Sequence, residues 1–234
     1  MATDEPVPAK LAKTSAVLFA DLLGFASLTE KYDLELDRIK NAERPLSFSL
    51  DTFLTSPPAN HLTKVFTLFH YSLKWRIQIA QMSHPLTAIT FSDSAFIATT
   101  YLFEAVNLAV DLVQSLLQQR IPLRVGIAHG SFSAVRFRSD ITVGGGDHAA
   151  HFLGTGVVRS YATESCGIKG LRILLHPSAV SLLNNPAHNP QTSEGRIRYL
   201  ECSKQESDNA VGVRYEIDYW RLKPTAEIGR WDKF

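Results

Sequence analysis

Asp21 closes a short apolar run, SAVLFA (Ser15 to Ala20), and Asp93 sits in Ser92-Asp93-Ser94 between two further runs, LTAITF (Leu86 to Phe91) and AFIATT (Ala95 to Thr100). Carboxylates at the ends of neighbouring strands meet in space however far apart they lie in the chain. Two such groups can hold a pair of hard divalent cations about 3.5–4 Å apart, one activating a 3′-hydroxyl and the other neutralising phosphates. The backbone carbonyl of Leu22 is placed to complete the coordination. Just beyond it, the amides of Gly24, Phe25 and Ala26 open a predicted helix. A helix N-terminus aims N–H groups and a positive dipole end at an anion, and glycine lets the backbone approach it closely. Taken singly, each acid has a plainer reading, since an Asp after a strand commonly caps a turn or helix. The pair, with the helix that follows, is what points to metal-assisted chemistry on a triphosphate.

The elements that must position these groups are legible from periodicity. SAVLFA is nearly continuous in apolar residues, as a strand buried on both faces requires. Apolar residues then recur at helical intervals from Phe25 to Lys40, so strand, acid and helix follow one another in the layout of a ligand site at a strand's carboxyl end. Pro45, Pro57 and Pro58 interrupt the next stretch, and His61 to Met82 reads as one long helix. LTAITF and AFIATT form a predicted hairpin with Asp93 near its tip. Phe103 to Gln119 carries Ala105, Leu108, Ala109, Leu112 and Leu116 on one helical stripe.

Pro122 to His129 is expected as a buried strand with Phe132 to Phe137 as its antiparallel neighbour, followed by a mobile glycine loop at Gly144 to Asp147. A helix begins near Gly154 and runs through Val158 and Ala162, and strands follow near Leu171 to Leu175, Ile197 to Leu200 and Val211 to Tyr219, with a short helix around Ala179 to Leu183. This alternation predicts an α/β (α+β) fold with a mixed sheet flanked by helices. The expected organisation is a flexible N-terminal segment, 1–14, and one domain, 15–234, with a helical insertion at about 42–83.

Composition excludes several classes. Lys and Arg number 24 against 23 Asp and Glu, so no global basic field marks a nucleic-acid partner. No run of about 18 apolar residues suggests a membrane span, and no apolar stretch near Met1 resembles a signal peptide. Cys166 and Cys202 lack metal-ligand spacing and fit a reducing cytoplasm. His148 and His151 have a helical spacing that suits a metal but no third ligand nearby, and Gly144-Gly145-Gly146-Asp147 lacks the Gly-Lys-Ser/Thr of a phosphate cradle.

Four segments in order carry a family resemblance. FADLLGFASLTE (Phe19 to Glu30) resembles the metal-binding signature of class III adenylyl and guanylyl cyclases, and ITFSDSAFIATT resembles their second-aspartate hairpin. RVGIAHG (Arg124 to Gly130) resembles the strand placed next, and FLGTGVVRSYATES (Phe152 to Ser165) their last catalytic helix. The resemblance implies a ferredoxin-like cyclase fold, Asp21 and Asp93 as ligands of two divalent cations, Mn²⁺ or Mg²⁺, and a homodimer with its sites at the interface.

The departures narrow the reading. Purine cyclases read the base through a Lys or Glu four residues before the second aspartate, a position held here by Ile89, and through a partner position that is here His151. The family's transition-state Asn and Arg fall at Val158 and Ala162, leaving Arg159, one residue away, as the candidate cation for charge on the transferred phosphorus. Lost purine-reading groups, a long insert and a short chain are together similar to the pyrimidine cyclases of Pycsar anti-phage defence. That resemblance implies conversion of UTP, or next CTP, to a 3′,5′-cyclic monophosphate that a separate effector senses. Other readings stay open: a degenerate cyclase-like module that binds nucleotide without turnover, a purine cyclase, and a dimerisation scaffold.

Overall fold

The computed structural model describes residues 14–42, 53, 59–138, 148–188, 197–199, 212–213 and 215–219, with the backbone alone for 41–42, 135–138, 148–151 and 197–199. The N-terminal segment apart from Thr14, most of the proline-broken stretch, the glycine loop at 144–147 and Cys202 lie outside these residues.

The first strand, β1 (Thr14–Leu22), is the spine of a seven-stranded sheet. It pairs antiparallel with β3 (Ser94–Thr99) on one side and with β4 (Leu123–Ser131) on the other. Beyond β3 lies β2 (Leu86–Thr90), antiparallel to it. Beyond β4 lies β7 (Ile173–Leu175), the one parallel pairing, and then β9 (Tyr215–Ile217) and β8 (Ile197–Tyr199). The mixed sheet expected from the sequence is present. One expectation fails: β5 (Ser133–Arg138) pairs with β6 (His148–Leu153) in a separate two-stranded ribbon, not with β4. One edge of β4 is taken by β1 along its whole length; the other is taken by β7 at Val125 to Ile127 and, beyond it, by Ser178 Oγ on the His129 amide and Arg159 Nη1 on the His129 carbonyl.

Alternation along β1 divides its side chains between the two faces. Ala16, Leu18, Ala20 and Leu22 enter the main core, where they meet α3 (His61–Gln81) and α4 (Leu102–Gln118). The stripe predicted on α4 is buried in full: Ala105, Leu108, Ala109, Leu112 and Leu116 are at most 4% exposed. The single helix expected over Phe25 to Lys40 is instead two, α1 (Phe25–Thr29) and α2 (Leu36–Ala42). The break between them is held from downstream. Asn60 Nδ2 donates to the Asp33 carbonyl, and the Glu35 amide donates to Thr63 Oγ1 at the start of α3. No local pattern announces a break fixed by residues more than twenty positions away.

The opposite face, carrying Val17, Phe19 and Asp21, receives α5 (Thr155–Glu164). This helix is inverted relative to the usual pattern. It buries Gly156, Ser160, Thr163 and Glu164 while Val158 and Tyr161 stand 68% and 54% exposed. Small residues on the buried side permit a close approach to β4. A Cβ built on Gly126 would lie 2.2 Å from the Ser160 carbonyl oxygen, and one on Gly130 would lie 2.4 Å from Thr155 Oγ1. A short helix, α6 (Pro177–Val180), completes the chain order between β7 and β8.

A methyl group has no room at Gly126, where backbone rather than a movable side chain blocks it. Gly126→Ala is expected to lower stability by about 2 kcal/mol or more by forcing α5 off the sheet. Urea unfolding measures this directly, and a midpoint equal to that of the unsubstituted chain would contradict the packing described.

Candidate functional site

The two aspartates meet. Asp21 lies near the carboxyl end of β1, paired in register with Ser94 on β3 and with Arg124 on β4. The turn that joins β2 to β3 is closed by the Phe91 amide bonding to the Ser94 carbonyl at 2.7 Å, which places Ser92 and Asp93 at its tip. The Leu22 amide then donates to the Asp93 carbonyl at 3.0 Å, tying that tip to the residue next to Asp21. Ser92 Oγ donates to Asp93 Oδ1 at 3.0 Å, and the His70 ring on α3 bonds from Nε2 to the Ser92 carbonyl at 3.1 Å. The hairpin is therefore held from the strand side and from the helix side.

Electrostatics report the same closeness. The Asp21 carboxyl is pushed up to about 6, first by burial, then by the negative charges of Glu164 and Asp93, with Arg124 opposing them. Glu164, the last residue of α5, bonds Arg124 through both Nε and Nη2. Among the described residues no ion pair reaches Asp21 or Asp93.

Negative charge on two hard oxygen donors, offset only in part by Arg124, suits a divalent cation. Among the described residues no group of three or more His, Cys, Asp or Glu converges to hold a metal. Two carboxylates with phosphate and water as the remaining ligands is nevertheless the ordinary manner of holding Mg²⁺ in nucleotide sites. The residues present fit such an ion.

Gly24 follows directly, with φ of +82°, and caps α1. That left-handed conformation, not lack of space, is what calls for glycine here, because a Cβ would meet nothing within 4 Å. The Phe25 side chain is buried and lies 6.4 Å from the Phe66 ring, leaving the first-turn amides of α1 as the feature near Asp21.

The remaining candidates lie away from the two aspartates. Ile89 pairs in register with Phe96, whose ring stands 4.4 Å from Phe19. Phe19 in turn meets Tyr161 of α5 at 5.4 Å, and Phe96 meets Phe91 and Phe152 at 6.1 and 6.3 Å. Ile89 thus borders a patch of aromatic rings. His151 sits on β6 opposite Val135, and its side chain lies outside the described residues. Because 148–153 is strand, the helical spacing of His148 and His151 does not exist.

Arg159 is not near the aspartates of its own chain. Its Nη1 donates to the His129 carbonyl at 3.0 Å, and His129 pairs with Ala16, five residues up β1 from Asp21, or about 17 Å along the strand. Sequence reasoning gave no site role to Glu164, Arg124 or His70. The first signal was a carboxylate two positions past Ala162 on a helix whose buried face is otherwise small and neutral.

Neither a sequence-family model nor any curated protein matches this chain. Solved structures do. The chain is similar to the adenylyl cyclase CyaB from P. aeruginosa, with a TM-score of 0.54 at 16% identity over 88% of this chain and 93% of that one. It is similar to the guanylate cyclase domain of RhGC from Catenaria anguillulae, solved in complex with GTP, with a TM-score of 0.53 at 15% identity over 89% and 98%. A monomeric guanylyl cyclase domain of the RhoGC fusion protein from Blastocladiella emersonii gives 0.54 at 13% identity over 88% and 95%. The chain has the fold of adenylyl and guanylyl cyclase catalytic domains, the α+β fold with a mixed sheet flanked by helices that the sequence led us to expect.

A raised carboxyl pKa carries a pH signature. Between pH about 4 and 6 the folded metal-free chain keeps a proton on Asp21 that the unfolded chain releases, so this group's contribution to stability is lost as pH rises through that window. Asp21→Asn removes the effect. In EDTA at pH 7.5 the variant is expected to be more stable by on the order of 1 kcal/mol, a figure discounted for the half-buried position. The advantage should close as pH falls from 6 to 4, and a difference in unfolding midpoint that does not change with pH would contradict the assignment.

Proposed function

We propose that this chain, with its cyclase fold, is a nucleotide cyclase that converts a pyrimidine nucleoside triphosphate, UTP before CTP, to its 3′,5′-cyclic monophosphate and pyrophosphate. The observation that carries the reading is the meeting of Asp21 and Asp93 at the Leu22–Asp93 bond. In the reaction the 3′-oxygen bonds to the α-phosphorus as the bond to pyrophosphate breaks. Two divalent cations, Mn²⁺ or Mg²⁺, would supply a lowered pKa at the 3′-hydroxyl and neutralisation of the phosphates. Asp21 and Asp93, with the Leu22 carbonyl, are the residues that would hold them. The amides of Gly24, Phe25 and Ala26 would receive the phosphates from the start of α1.

The pyrimidine preference is supported by Ile89, an apolar side chain beside aromatic rings where a purine-reading cyclase has a polar one. His151 is the other residue that we assign to the base. The similarity to pyrimidine cyclases of anti-phage defence leads us to propose that the product is a second messenger read by a separate cytoplasmic effector. The chain from residue 15 onward works as one catalytic unit in this reading, with the segment around 42–83 inserted in it. Among the described residues, no helix is long and apolar enough to cross a membrane.

A homodimer is part of the proposal. Arg159, the proposed transition-state cation, lies about 17 Å along the strand from the aspartates of its own chain, so it would serve those of a second copy. Exposed Val158, Tyr161, Phe91 and Leu153 give the α5 side of the sheet the apolar surface such a contact needs. One observation favours a second reading, a module that binds nucleotide without turnover: Arg159 is engaged with the His129 carbonyl, and the positions flanking it that would assist are Val158 and Ala162.

Incubation of purified protein with each of the four labelled nucleoside triphosphates and Mn²⁺ is expected to give a cyclic pyrimidine product. Turnover of ATP or GTP alone would remove the pyrimidine assignment, and metal-dependent binding without pyrophosphate release would favour the second reading. Asp21→Ala and Asp93→Ala should each lower turnover by about a thousandfold, the several kcal/mol that a metal ion contributes, while the fold persists by circular dichroism. Mixing Asp93→Ala with Arg159→Ala chains should restore part of the activity through heterodimers. Absence of any recovery would argue against shared sites.

A further inference from the structure

The C-terminal end of α5 is an unfavourable place for a carboxylate. The last turn of a helix carries partial negative charge, and the Glu164 side chain is only 4% exposed, where an unpartnered charge costs several kcal/mol. What holds it there is Arg124, both of whose contacting nitrogens bond to the same oxygen, Glu164 Oε1. Yet Arg124 has another carboxylate at hand. It stands opposite Asp21 in the β1–β4 register, and cross-strand partners project to the same face of the sheet. A guanidinium beside an aspartate ordinarily forms a charge-assisted pair with it. Here the guanidinium is turned to the helix instead.

The direction of that turn matters for the site. A guanidinium bonded to Asp21 would occupy the carboxylate oxygens and add a positive charge next to any bound cation. Both effects oppose a divalent ion.

We infer that Glu164 is a positioning residue of the two-aspartate site: by holding the Arg124 guanidinium against α5, it keeps Asp21 open to a divalent cation. The inference rests on the metal assignment made above. Glu164 touches neither metal nor substrate; it acts through Arg124, and its own negative charge adds to the field at Asp21. It also makes the seating of α5 on β4 a condition for metal binding, because the helix brings the decoy carboxylate.

The test titrates Mn²⁺ alone into the metal-free 234-residue chain and reads the free ion by electron paramagnetic resonance. E164Q keeps the shape and removes the charge, so Arg124 is released to Asp21, and Mn²⁺ binding should weaken by about tenfold or more. The double variant R124Q/E164Q lacks the competing guanidinium and should return to within about threefold of the original affinity, a rescue that a merely structural pair would not show. Equal affinity in E164Q and the unsubstituted chain, or a double variant as weak as E164Q, overturns the inference while leaving the metal site standing. Failure of the unsubstituted chain to bind Mn²⁺ removes the metal assignment itself. Should E164Q not fold, R124Q/E164Q, which leaves neither charge unpaired, decides: it should bind Mn²⁺ within about threefold of the unsubstituted chain, and any larger loss overturns the proposal.

Discussion

Two carboxylates repel, and everything at the candidate site depends on a backbone ladder that holds them together regardless. Six register pairs join β1 to β3, from Ala16 opposite Thr99 to Asp21 opposite Ser94. The Leu22 amide continues that ladder one step into the turn, to the Asp93 carbonyl. None of these bonds involves a carboxylate. The acids are brought close by main-chain geometry, which is indifferent to their charge. The stabilising free energy comes from the other face of the same strand, where Ala16, Leu18, Ala20 and Leu22 are buried against α3 and α4. A strand packed on both faces along most of its length can carry a destabilising group at its carboxyl end, where Asp21 stands.

How far this was legible in the sequence follows from which interactions are local. Asp21 could be read because the apolar run before it is long enough to announce a buried strand and the acid interrupts it. Asp93 could be read because its flanking runs are short, apolar and separated by turn-forming residues. α4 was legible because its buried stripe has the helical period throughout. The break between α1 and α2 was not, because Asn60 and Thr63 fix it from a distant part of the chain. Nor was the pairing of β5, since a strand's partner is settled by which edges remain open once the sheet has assembled.

α5 was found but could not be oriented, and the reason is chemical. Amphipathic reasoning puts Val158 and Tyr161 inside and Ser160, Thr163 and Glu164 outside, whereas the helix does the reverse. Close packing on β4 selects small residues, because the glycines at 126 and 130 leave space for backbone and little else. Ser160 and Thr163 satisfy their hydroxyls within the helix, on the carbonyls of Val157 and Arg159, so their burial leaves no polar group unpaired. Glu164 is satisfied by Arg124. Periodicity records only hydrophobicity, and it cannot register a helix whose buried face is selected for thinness.

That orientation has a consequence for how the two ends of α5 act. Arg159 and Glu164 are five residues apart, about 7.5 Å along the axis, on a helix with no freedom to roll. Glu164 reaches the carboxyl end of β1 through Arg124, while Arg159 reaches the far part of β4 through the His129 carbonyl. Within one chain the two ends of α5 therefore face different stretches of the sheet, and the close contact at Gly126 fixes the helix in that seat. In the proposed dimer, Arg159 would act on a nucleotide held by the aspartates of the second copy. The inverted helix that hides its polar residues and displays Val158 and Tyr161 is also the element that copy would meet.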